Sequence, residues 1–407
     1  MNLFPVFFKP NLIDMPEIKI LYIITKLELG GAQKQALLLA AALDKNKFFP
    51  YLFTAASGIL VPDAKAVTGL NVYFSPFLDR PLNPVKDLFA FFEIINFIKK
   101  NKIDIVHTHS SKAGIIGRFA AKAAGAKIII HTVHGWSFND CQPYLLRKFC
   151  IFLERLCARI TSKIIAVSQY DKKIGLSEFI GKEGQYEVIL CGIDHSEFRG
   201  NDSGIRNEFG ITSSDLLVGM VACFKPQKAP QDFIEVARMV TAKFENVKFI
   251  MVGDGQMRGQ LQKLISNYQL KNKVILTGWR RDIPQILSAL NIAVLTSLYE
   301  GLPVSILEAM ASAKAVVATR TGGIAEVVQD GENGFLVAPK ALQELADRVL
   351  SLLDDATLRK GLGENARLSI AGSFSVPSMI SAHQKIYLKS IALGQSTKQE
   401  LSQAGRK

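Results

Sequence analysis

Short runs rich in β-branched residues alternate with helical stretches along almost the whole chain, and this alternation limits the possible folds most strongly. It is typical of a parallel α/β sheet, in which a helix connects each strand to the next. In the first half, strands are predicted at 18–25, 48–56, 103–109, 126–134, 163–169 and 186–194. Helices are predicted near 32–43, 84–100, 112–124 and 143–161. This half therefore predicts one doubly wound domain.

A polar stretch at 195–215 interrupts the alternation and is interpreted as an interdomain linker. The alternation then restarts, with strands predicted at 216–224, 247–255, 273–279, 291–298, 315–323 and 334–339. Helices follow near 340–354 and 356–370, and a last one is predicted at 376–393 before a polar tail.

These elements predict two Rossmann-like domains, residues 1–200 and 201–375, followed by a helix and tail at 376–407. Ligands of doubly wound sheets bind beyond the carboxyl ends of the strands. The predicted site is therefore a central cleft that the two domains face.

The composition is consistent with two domains and argues against several classes of protein. The chain has 407 residues, of which 48% are hydrophobic, enough for two domain cores. Its net charge is +13, and residues 1–200 hold 25 Lys/Arg against 17 Asp/Glu. Such an excess fits nucleic acid, an anionic membrane surface or phosphorylated substrates, or simply solubility. The five cysteines form no C-x-x-C pair, which argues against a disulfide framework and a zinc site and favours a reducing cytoplasm.

No membrane span or signal peptide is predicted. The apolar N-terminus is broken by Pro5, Pro10 and Asp14, and it lacks a basic region and a small-residue cleavage site. No run approaches the roughly 18 uninterrupted apolar residues of a span. The stretch 144–165 alternates apolar and basic residues at helical spacing. It predicts either a core helix with a basic solvent face or a helix on a membrane surface.

The segment SLYEGLPVSILEAM, residues 297–310, predicts a turn followed by a helix that begins near Pro303. The free amides at such a helix start favour an anionic group such as a diphosphate. Glu300 and Glu308 would repel phosphate, so they are interpreted as acceptors for hydroxyl groups of ribose and sugar rings. The alternative is structural: Glu308 would cap a loop, and Glu300 would face solvent.

Two basic residues and a glycine pair are further candidates. Lys225 and Lys228 follow the first strand of the second domain and would neutralise a diphosphate leaving group. Taken alone, they are better explained as an ordinary basic loop. Gly30 and Gly31 predict a loop that approaches phosphate or sugar, but they do not form G-x-G-x-x-G, so dinucleotide binding is poorly supported.

Four of the six histidines lie between positions 107 and 134. A metal cluster is conceivable, but no carboxylate or cysteine ligand lies convincingly nearby, and structural histidines are the better interpretation. His134, at the very end of its strand, is the best active-site candidate. No Asp-x-Asp pair is present to hold a divalent ion on a diphosphate, so no metal and no cofactor is expected. The lack of a G-x-S-x-G elbow and of a Walker loop argues against hydrolases and NTPases.

Taken in order, these segments resemble the retaining glycosyltransferases of family 4, which have the GT-B fold. The resemblance rests on GGAQKQALLLAAAL, HTHSSKAGIIGRFAAKAAG, HTVHG, PQK, VGDG, TSLYEGLPVSILEAMAS and DGENGFLV. The pair Glu300 and Glu308 corresponds to the E-x7-E signature of that family.

The resemblance implies a role for each candidate residue. Glu300 would contact the hydroxyls of the transferred sugar, and the backbone of Gly301, Leu302 and Pro303 would approach its phosphate. Glu308 would bind the nucleotide ribose, and Lys228 the diphosphate. His134 would lie beside the transferred sugar, and Gly30 and Gly31 would form the loop where donor and acceptor meet. His134, Glu300 and Lys228 would carry the catalysis, and the last helix would pack back on the first domain.

The chain departs from the family pattern at two positions. An arginine usually lies five residues before the diphosphate lysine, where this chain has Cys223. We predict that Lys225 compensates, although lysine lacks the planar fork of arginine. The usual Asn-Gly before the linker is Cys191-Gly192 here, which is interpreted as tolerated.

The expected activity is metal-independent, retaining transfer of a sugar from a nucleoside diphosphate sugar to an acceptor hydroxyl. The first expected donors are a UDP-hexose or UDP-N-acetylhexosamine, and the second is GDP-mannose. The expected acceptor is a lipid-linked glycan of cell-surface polysaccharide biosynthesis, reached from the cytoplasm or from the inner face of the membrane. No nucleic acid partner is expected. The alternatives are a nucleotide-sugar epimerase and a catalytically silent donor-binding subunit.

Overall fold

The structure, a computed structural model, describes residues 17–200 and 204–404. The prediction about a signal peptide falls mainly on residues 1–16, which lie outside the described residues. Within the described residues, no helix is both long and apolar enough to span a membrane.

The first sheet has seven parallel strands in the order β3-β2-β1-β4-β5-β6-β7. Its strands are β1 Ile18–Ile23, β2 Phe48–Ala55, β3 Asn71–Ser75, β4 Ile105–His109, β5 Ile128–Val133, β6 Lys163–Ala166 and β7 Tyr186–Val188. Strand β3 is not predicted from the sequence, because this edge strand is short and mostly not buried and so has no continuous apolar run.

The first domain has six helices in the described residues, on both faces of this sheet. They are α1 Gly31–Ala42, α2 Val61–Ala66, α3 Pro84–Asn101, α4 Ser111–Ala123, α5 Tyr144–Ala158 and α6 Gln169–Ser177. The two shortest of these helices, α2 and α6, are not among the helices predicted from the sequence. The predicted start of α3 is confirmed, since the Asn83 side chain accepts a hydrogen bond from the Lys86 amide and Pro84 follows directly.

The second sheet has six parallel strands in the order β10-β9-β8-β11-β12-β13. Its strands are β8 Leu216–Val221, β9 Val247–Val252, β10 Val274–Gly278, β11 Ile292–Leu295, β12 Ala315–Thr319 and β13 Phe335–Val337. The helices around it are α7 Ile205–Glu208, α8 Pro230–Thr241, α9 Arg258–Asn267, α10 Ile283–Ala289, α11 Val304–Ala311, α12 Ile324–Val327, α13 Leu342–Asp354 and α14 Ala356–Ile370. The fold is therefore α/β with two doubly wound domains, as the alternation predicts.

The two faces of the first sheet pack into separate hydrophobic clusters. Alternate residues of β1 point to opposite faces, so Ile20 and Tyr22 lie in one cluster and Leu21 and Ile23 in the other. Such two-sided burial explains why the strands of this sheet read as continuous apolar runs rather than as alternating ones.

The last helix, α15 Val376–Ala404, returns to the first domain. Its Tyr387 hydroxyl lies 3.1 Å from the Tyr22 hydroxyl and 2.7 Å from Nδ1 of His107, and Met379 and Ile380 are buried in the same cluster. The helix also continues past Leu393, where a polar tail is predicted to begin, so that expected end of the helix is wrong. The domain limits at 200 and 375 stay predictions.

Candidate active site

A cavity of about 290 Å³ lies between the two domains. The loops that line it follow the carboxyl ends of strands from both sheets, where the fold class predicts a ligand. The structure brings all the predicted site residues together around it: Gly30, Gly31, His134, Lys225, Lys228, Glu300, Gly301, Leu302, Pro303 and Glu308. Cys191 and Cys223, the two departures from the family pattern, line the same cavity.

The turn between β11 and α11 is held from two sides. The Thr296 hydroxyl donates to the carbonyl oxygens of Lys228 and Ala229, at 2.9 and 3.0 Å, and the Thr319 hydroxyl donates to the Ser297 carbonyl at 2.5 Å. These contacts fix the loop that carries Glu300 against the loop that carries Lys228. The two loops therefore present their side chains to the cavity from one rigid base.

Glu300 is not solvated, so the structural alternative considered for it is wrong. Its side chain is 6% exposed, accepts a hydrogen bond from the Ser297 hydroxyl at 2.5 Å, and forms an ion pair with Lys228. The Gln227 amide group donates to the Tyr299 carbonyl at 2.8 Å, which holds the same turn. Glu300 is thus a buried, oriented carboxylate beside a lysine.

The start of α11 is open to an anion. Pro303 is its N-cap and makes no side-chain cap, and the first turn holds no acidic residue. The first amides of a helix have no partner within the helix. Leu302, Pro303, Val304 and Ser305 all line the cavity, so this end of the helix can receive a phosphate group.

Lys225 lies beside Lys228 at the same edge of the sheet. Burial lowers the pKa of Lys225, the neighbouring Lys228 lowers it further, and Glu300 opposes both effects. Within residues 17–200 and 204–393, no carboxylate lies within ion-pair distance of the Lys225 ammonium. Burial also raises the pKa of the Cys223 thiol. Positive charge at this edge is therefore concentrated on two lysines, of which only Lys228 is paired.

Glu308 faces the first domain across the cavity. Its carboxylate lies 3.4 Å from the Lys34 ammonium of α1, and the glutamate is buried. Burial raises its pKa, and Lys34 partly opposes this. The structural alternative for Glu308, that it caps a loop, is wrong, because the polar partner of its carboxylate is a side chain of the other domain.

His134 follows β5 directly and contacts a second histidine. Its Nε2 lies 3.0 Å from Nδ1 of His109, and burial together with His383 lowers the pKa of His134 to about 4. His107 contacts the Thr132 hydroxyl at 2.7 Å, and His131 contacts the Thr108 hydroxyl at 2.9 Å. In the described part of the chain, no group of three or more His, Cys, Asp or Glu residues could hold a metal ion. These histidines instead hydrogen bond to hydroxyls and to each other.

A second cavity of about 310 Å³ adjoins the first and shares His134, Lys225, Glu300 and Gly301 with it. The rest of its lining comes largely from the first domain and includes Ser110, Asn139, Arg147, Tyr170 and Asp171. A ligand in this second cavity would therefore meet a ligand in the first one at His134 and Glu300.

Asp171, which is not among the residues predicted from the sequence, is buried between the two domains. Burial raises its pKa to about 7, the Ser168 hydroxyl donates to its Oδ2 at 2.8 Å, and a Cβ on Gly301 would lie 3.0 Å from that oxygen. Ser168 and Asp171 have the spacing of a helix capping box, which predicts the start of α6. No sequence signal places this carboxylate next to Gly301, which is far away in the chain.

The two domains also touch at other polar contacts that the sequence did not reveal. Glu326 accepts hydrogen bonds from the amides of Gln169, at 2.9 Å, and Tyr170, at 2.5 Å. Arg281 donates two hydrogen bonds to Asp63, at 2.8 and 3.0 Å. Lys34, Gln227, Trp279 and Arg280 are further cavity residues outside the predicted set.

Comparisons with known proteins agree with this architecture. Residues 29–197 match the family described as Glycosyltransferase Family 4, and residues 202–369 match the family described as Glycosyl transferases group 1. Among relatives, the UDP-Gal:alpha-D-GlcNAc-diphosphoundecaprenol alpha-1,3-galactosyltransferase of Escherichia coli is 30% identical over 381 residues, which cover 91% of this chain and 97% of that protein. The N-acetyl-alpha-D-glucosaminyl L-malate synthase of Bacillus anthracis is 25% identical over 75% of this chain and 79% of that protein.

A crystal structure of Anabaena Alr3699/HepE in complex with UDP and glucose superposes with a TM-score of 0.80, at 23% identity, over 92% of this chain and all of that one. WaaG, a glycosyltransferase involved in lipopolysaccharide biosynthesis, superposes with a TM-score of 0.74, at 15% identity, over 88% of this chain and 97% of that one. The chain has the two-domain GT-B fold and belongs to the group 1 glycosyltransferases. The predicted family and fold are confirmed.

Proposed function

We propose that the protein transfers galactose from UDP-galactose to a hydroxyl of a lipid-diphosphate-linked glycan, in cell-surface polysaccharide biosynthesis. One structural observation supports it above all: a helix start, two lysines and both glutamates of the E-x7-E pair line a single cavity between two domains. The choice of donor and acceptor follows the Escherichia coli relative, whose name gives UDP-Gal and GlcNAc-diphosphoundecaprenol. Another UDP-hexose or UDP-N-acetylhexosamine, and then GDP-mannose, are the next candidate donors.

The donor would be divided among the residues of the first cavity. Its diphosphate would bind the first amides of α11 together with Lys225 and Lys228. Glu308 would accept hydrogen bonds from the ribose hydroxyls, and Glu300 from the hydroxyls of the transferred sugar. Gly30 and Gly31 would let the first domain approach the donor closely, because a glycine leaves no side chain in the way.

Transfer would proceed with retention and without a metal ion. The bond from the anomeric carbon to the diphosphate oxygen breaks, and the acceptor oxygen attacks the same face of an oxocarbenium-like carbon. The acceptor proton passes to the departing diphosphate, so that no enzyme nucleophile is required. Lysine ammonium groups and helix amides aimed at the developing diphosphate charge would supply most of the catalysis.

The acceptor would enter the second cavity. This cavity reaches His134 and Glu300, next to the sugar of the proposed donor, and its other walls belong largely to the first domain. Holding both substrates in contact at this point makes the reaction effectively unimolecular. The contacts between the domains would limit the entry of water, which would otherwise hydrolyse the donor.

The test is a transfer assay with the purified chain. UDP-galactose, UDP-glucose, UDP-N-acetylglucosamine and GDP-mannose are each supplied with and without a GlcNAc-diphospho-lipid acceptor, in the presence of EDTA. We expect UDP release from UDP-galactose that depends on the acceptor, and an α-linkage in the product by NMR. Conversion of a nucleotide sugar into its epimer without acceptor would favour the epimerase alternative. Donor binding without turnover in any combination would favour the silent subunit.

A further inference from the structure

Helices α3 and α5 of the first domain carry apolar side chains that point away from the protein core. Ten large hydrophobic residues in or just before these helices are between 47% and 86% exposed. They form what we call the α3–α5 face: Leu82, Val85, Leu88, Phe89, Phe92, Tyr144, Leu145, Leu146, Phe149 and Phe152. Exposed apolar patches of this size are rare on monomeric proteins and mark interaction sites.

The inner sides of the same helices already form the core, so the exposed residues are not needed for folding. Ala90, Ile94 and Ile98 of α3 are buried, as are Ile151 and Cys157 of α5. The exposed residues of α3 recur at three- and four-residue intervals, which places them along one side of the helix. The exposed side of α5 therefore carries large apolar side chains as well as the basic residues that the sequence predicts there.

The two helices lie on one side of the first sheet. Helix α4 packs between them, contacting both α3 and α5, and its Ile115 and Phe119 are half-buried there. The most exposed residues, Leu82 and Leu145, lie at the helix starts, and therefore at the same sheet edge as the active-site cleft. The α3–α5 face thus reaches towards the mouth of the cleft.

The charges around the face are strongly positive. Helices α3, α4 and α5 together contain nine Lys/Arg against three Asp/Glu. Each acidic residue already has a partner: Asp87 pairs with Lys112, Glu93 accepts from Tyr73, and Glu154 pairs with Arg118. Within the described part of the chain, no acidic residue lies within ion-pair distance of the exposed lysines at positions 86, 99, 100, 122 and 148.

We propose that the α3–α5 face docks on a bilayer of anionic phospholipid. The apolar side chains would enter the interface between headgroups and acyl chains, and the unpaired lysines would contact lipid phosphates. A surface of this kind fits a bilayer better than a protein partner, because its large apolar side chains are accompanied by the lysines named above, while the acidic residues of α3, α4 and α5 are already engaged by partners within the protein.

The position of the second cavity fits a protein whose α3–α5 face lies on the bilayer. Five residues of α4 and α5 or next to them line that cavity. They are Ser110 and Ser111 at the start of α4, Asn139 and Asp140 before α5, and Arg147 within α5. A docked bilayer would then lie beside the entrance through which a lipid-linked acceptor would enter. Only this last step rests on the proposed function, because docking itself requires neither donor nor acceptor.

The test is co-sedimentation of the full chain with vesicles, without any substrate. Vesicles of phosphatidylglycerol and phosphatidylethanolamine are compared with phosphatidylcholine vesicles, at low and high salt. We expect binding to the anionic vesicles, weakened by salt. The double variant Leu145→Ser, Phe149→Ser should bind at least roughly tenfold more weakly. Lys86→Gln with Lys148→Gln should lose roughly fivefold for each lysine.

The matched control is Leu368→Ser, which changes a leucine of α14 in the other domain whose exposure lies between those of Leu145 and Phe149, and it should bind like the wild type. All of these sites are exposed, so thermal unfolding should be unchanged and a folding defect would be recognised. The proposal is overturned if the wild type does not bind anionic vesicles at low salt. It is also overturned if the control variant loses as much binding as the two double variants. It is also overturned if sedimentation velocity shows a dimer that the face variants dissociate, because a second copy would then cover the face. Donor turnover with a water-soluble acceptor, measured separately, shows whether the proposed transfer stands regardless of docking.

Discussion

Lys34 of α1 and Glu308 of α11 form an ion pair across the interdomain cavity, with 3.4 Å between Nζ and Oε1. The two side chains belong to different domains, and Glu308 is buried while Lys34 is partly exposed. The carboxylate proposed to bind ribose is thus compensated by a lysine of the opposite domain. A donor would have to share or replace that lysine.

Glu308→Gln tests the ribose assignment. An amide offers one acceptor oxygen where the carboxylate offers two charged ones, so UDP affinity should fall roughly tenfold. The decisive measurement compares UDP with 2′-deoxy-UDP by calorimetry. Wild-type protein should prefer UDP, and the variant should bind the two nucleotides almost equally, as expected if the hydroxyl and Glu308 interact directly. An unchanged preference in the variant would remove Glu308 from the ribose site.

Glu300→Gln separates a catalytic role from a structural one. If Glu300 contacts the transferred sugar, the rate of transfer should fall roughly a hundredfold, while UDP, which has no sugar, binds within about threefold of wild type. If Glu300 only holds Lys228 by their ion pair, UDP affinity should fall as much as the rate. Glu332→Gln, at an exposed position in the same domain, is the control for the change of charge.

Lys225→Ala tests whether this lysine replaces the arginine that is expected at Cys223. A charge-assisted contact to the diphosphate contributes about 1.5–3 kcal/mol, so UDP affinity should fall roughly ten- to a hundredfold. Adding Cys223→Arg to this variant should restore much of the loss, because the guanidinium would return to the position usual in the family.

The control for Lys225 is Lys263→Ala, which removes the same charge from an exposed position of the same domain. Equal UDP affinity in wild type and Lys225→Ala would mean that Lys228 and the start of α11 hold the diphosphate without Lys225.

Individual residues show which parts of the fold and of the candidate site can be predicted from the sequence. The repeated alternation predicts both sheets because most strands are buried on two faces, whereas the edge strand β3 lacks that signal. Glu300 and Glu308 lie eight residues apart, and Lys228 lies in a short motif of its own, so each signal is local in the sequence and recognisable without a structure. Lys34 is not recognisable in this way, because its partner Glu308 lies in the other domain. Asp171 is not recognisable either, because only folding brings it next to Gly301.

Asp171 should make stability depend on pH. Its pKa is raised from 3.8 to about 7, mainly by burial, while Ser168 lowers it and Glu326 and Glu300 raise it. Because the folded state favours the protonated carboxyl, this contribution is full below pH 3.8 and is lost as the pH rises through about 7. Asp171→Asn should therefore be more stable than wild type at pH 8, by at most about 4 kcal/mol, and nearly equal at pH 4.

Urea unfolding of both proteins at pH 4 and pH 8 measures this effect. Asp347→Asn, which changes an exposed aspartate, should show no such dependence. A difference between wild type and Asp171→Asn that is the same at both pH values would mean that folding does not raise the pKa of Asp171.

Gly322 supports the Glu300 turn from behind. It has φ +56°, and a Cβ on it would overlap the carbonyl oxygen of Glu300. Gly331 has φ +80° but nothing within 4 Å of its Cβ position, so an alanine there carries backbone strain without the overlap. Gly331→Ala should thus lose about 1–2 kcal/mol of stability and keep its activity.

Gly322→Ala should lose stability beyond that strain, and sugar transfer should fall more than roughly tenfold because Glu300 is displaced from the reacting sugar. Urea unfolding and the transfer assay measure the two effects on the same samples. If both alanine variants transfer sugar at the wild-type rate, the position of the Glu300 turn does not limit catalysis. If Gly322→Ala and Gly331→Ala lose the same free energy of unfolding, the Glu300 turn accommodates the added Cβ without further loss of stability.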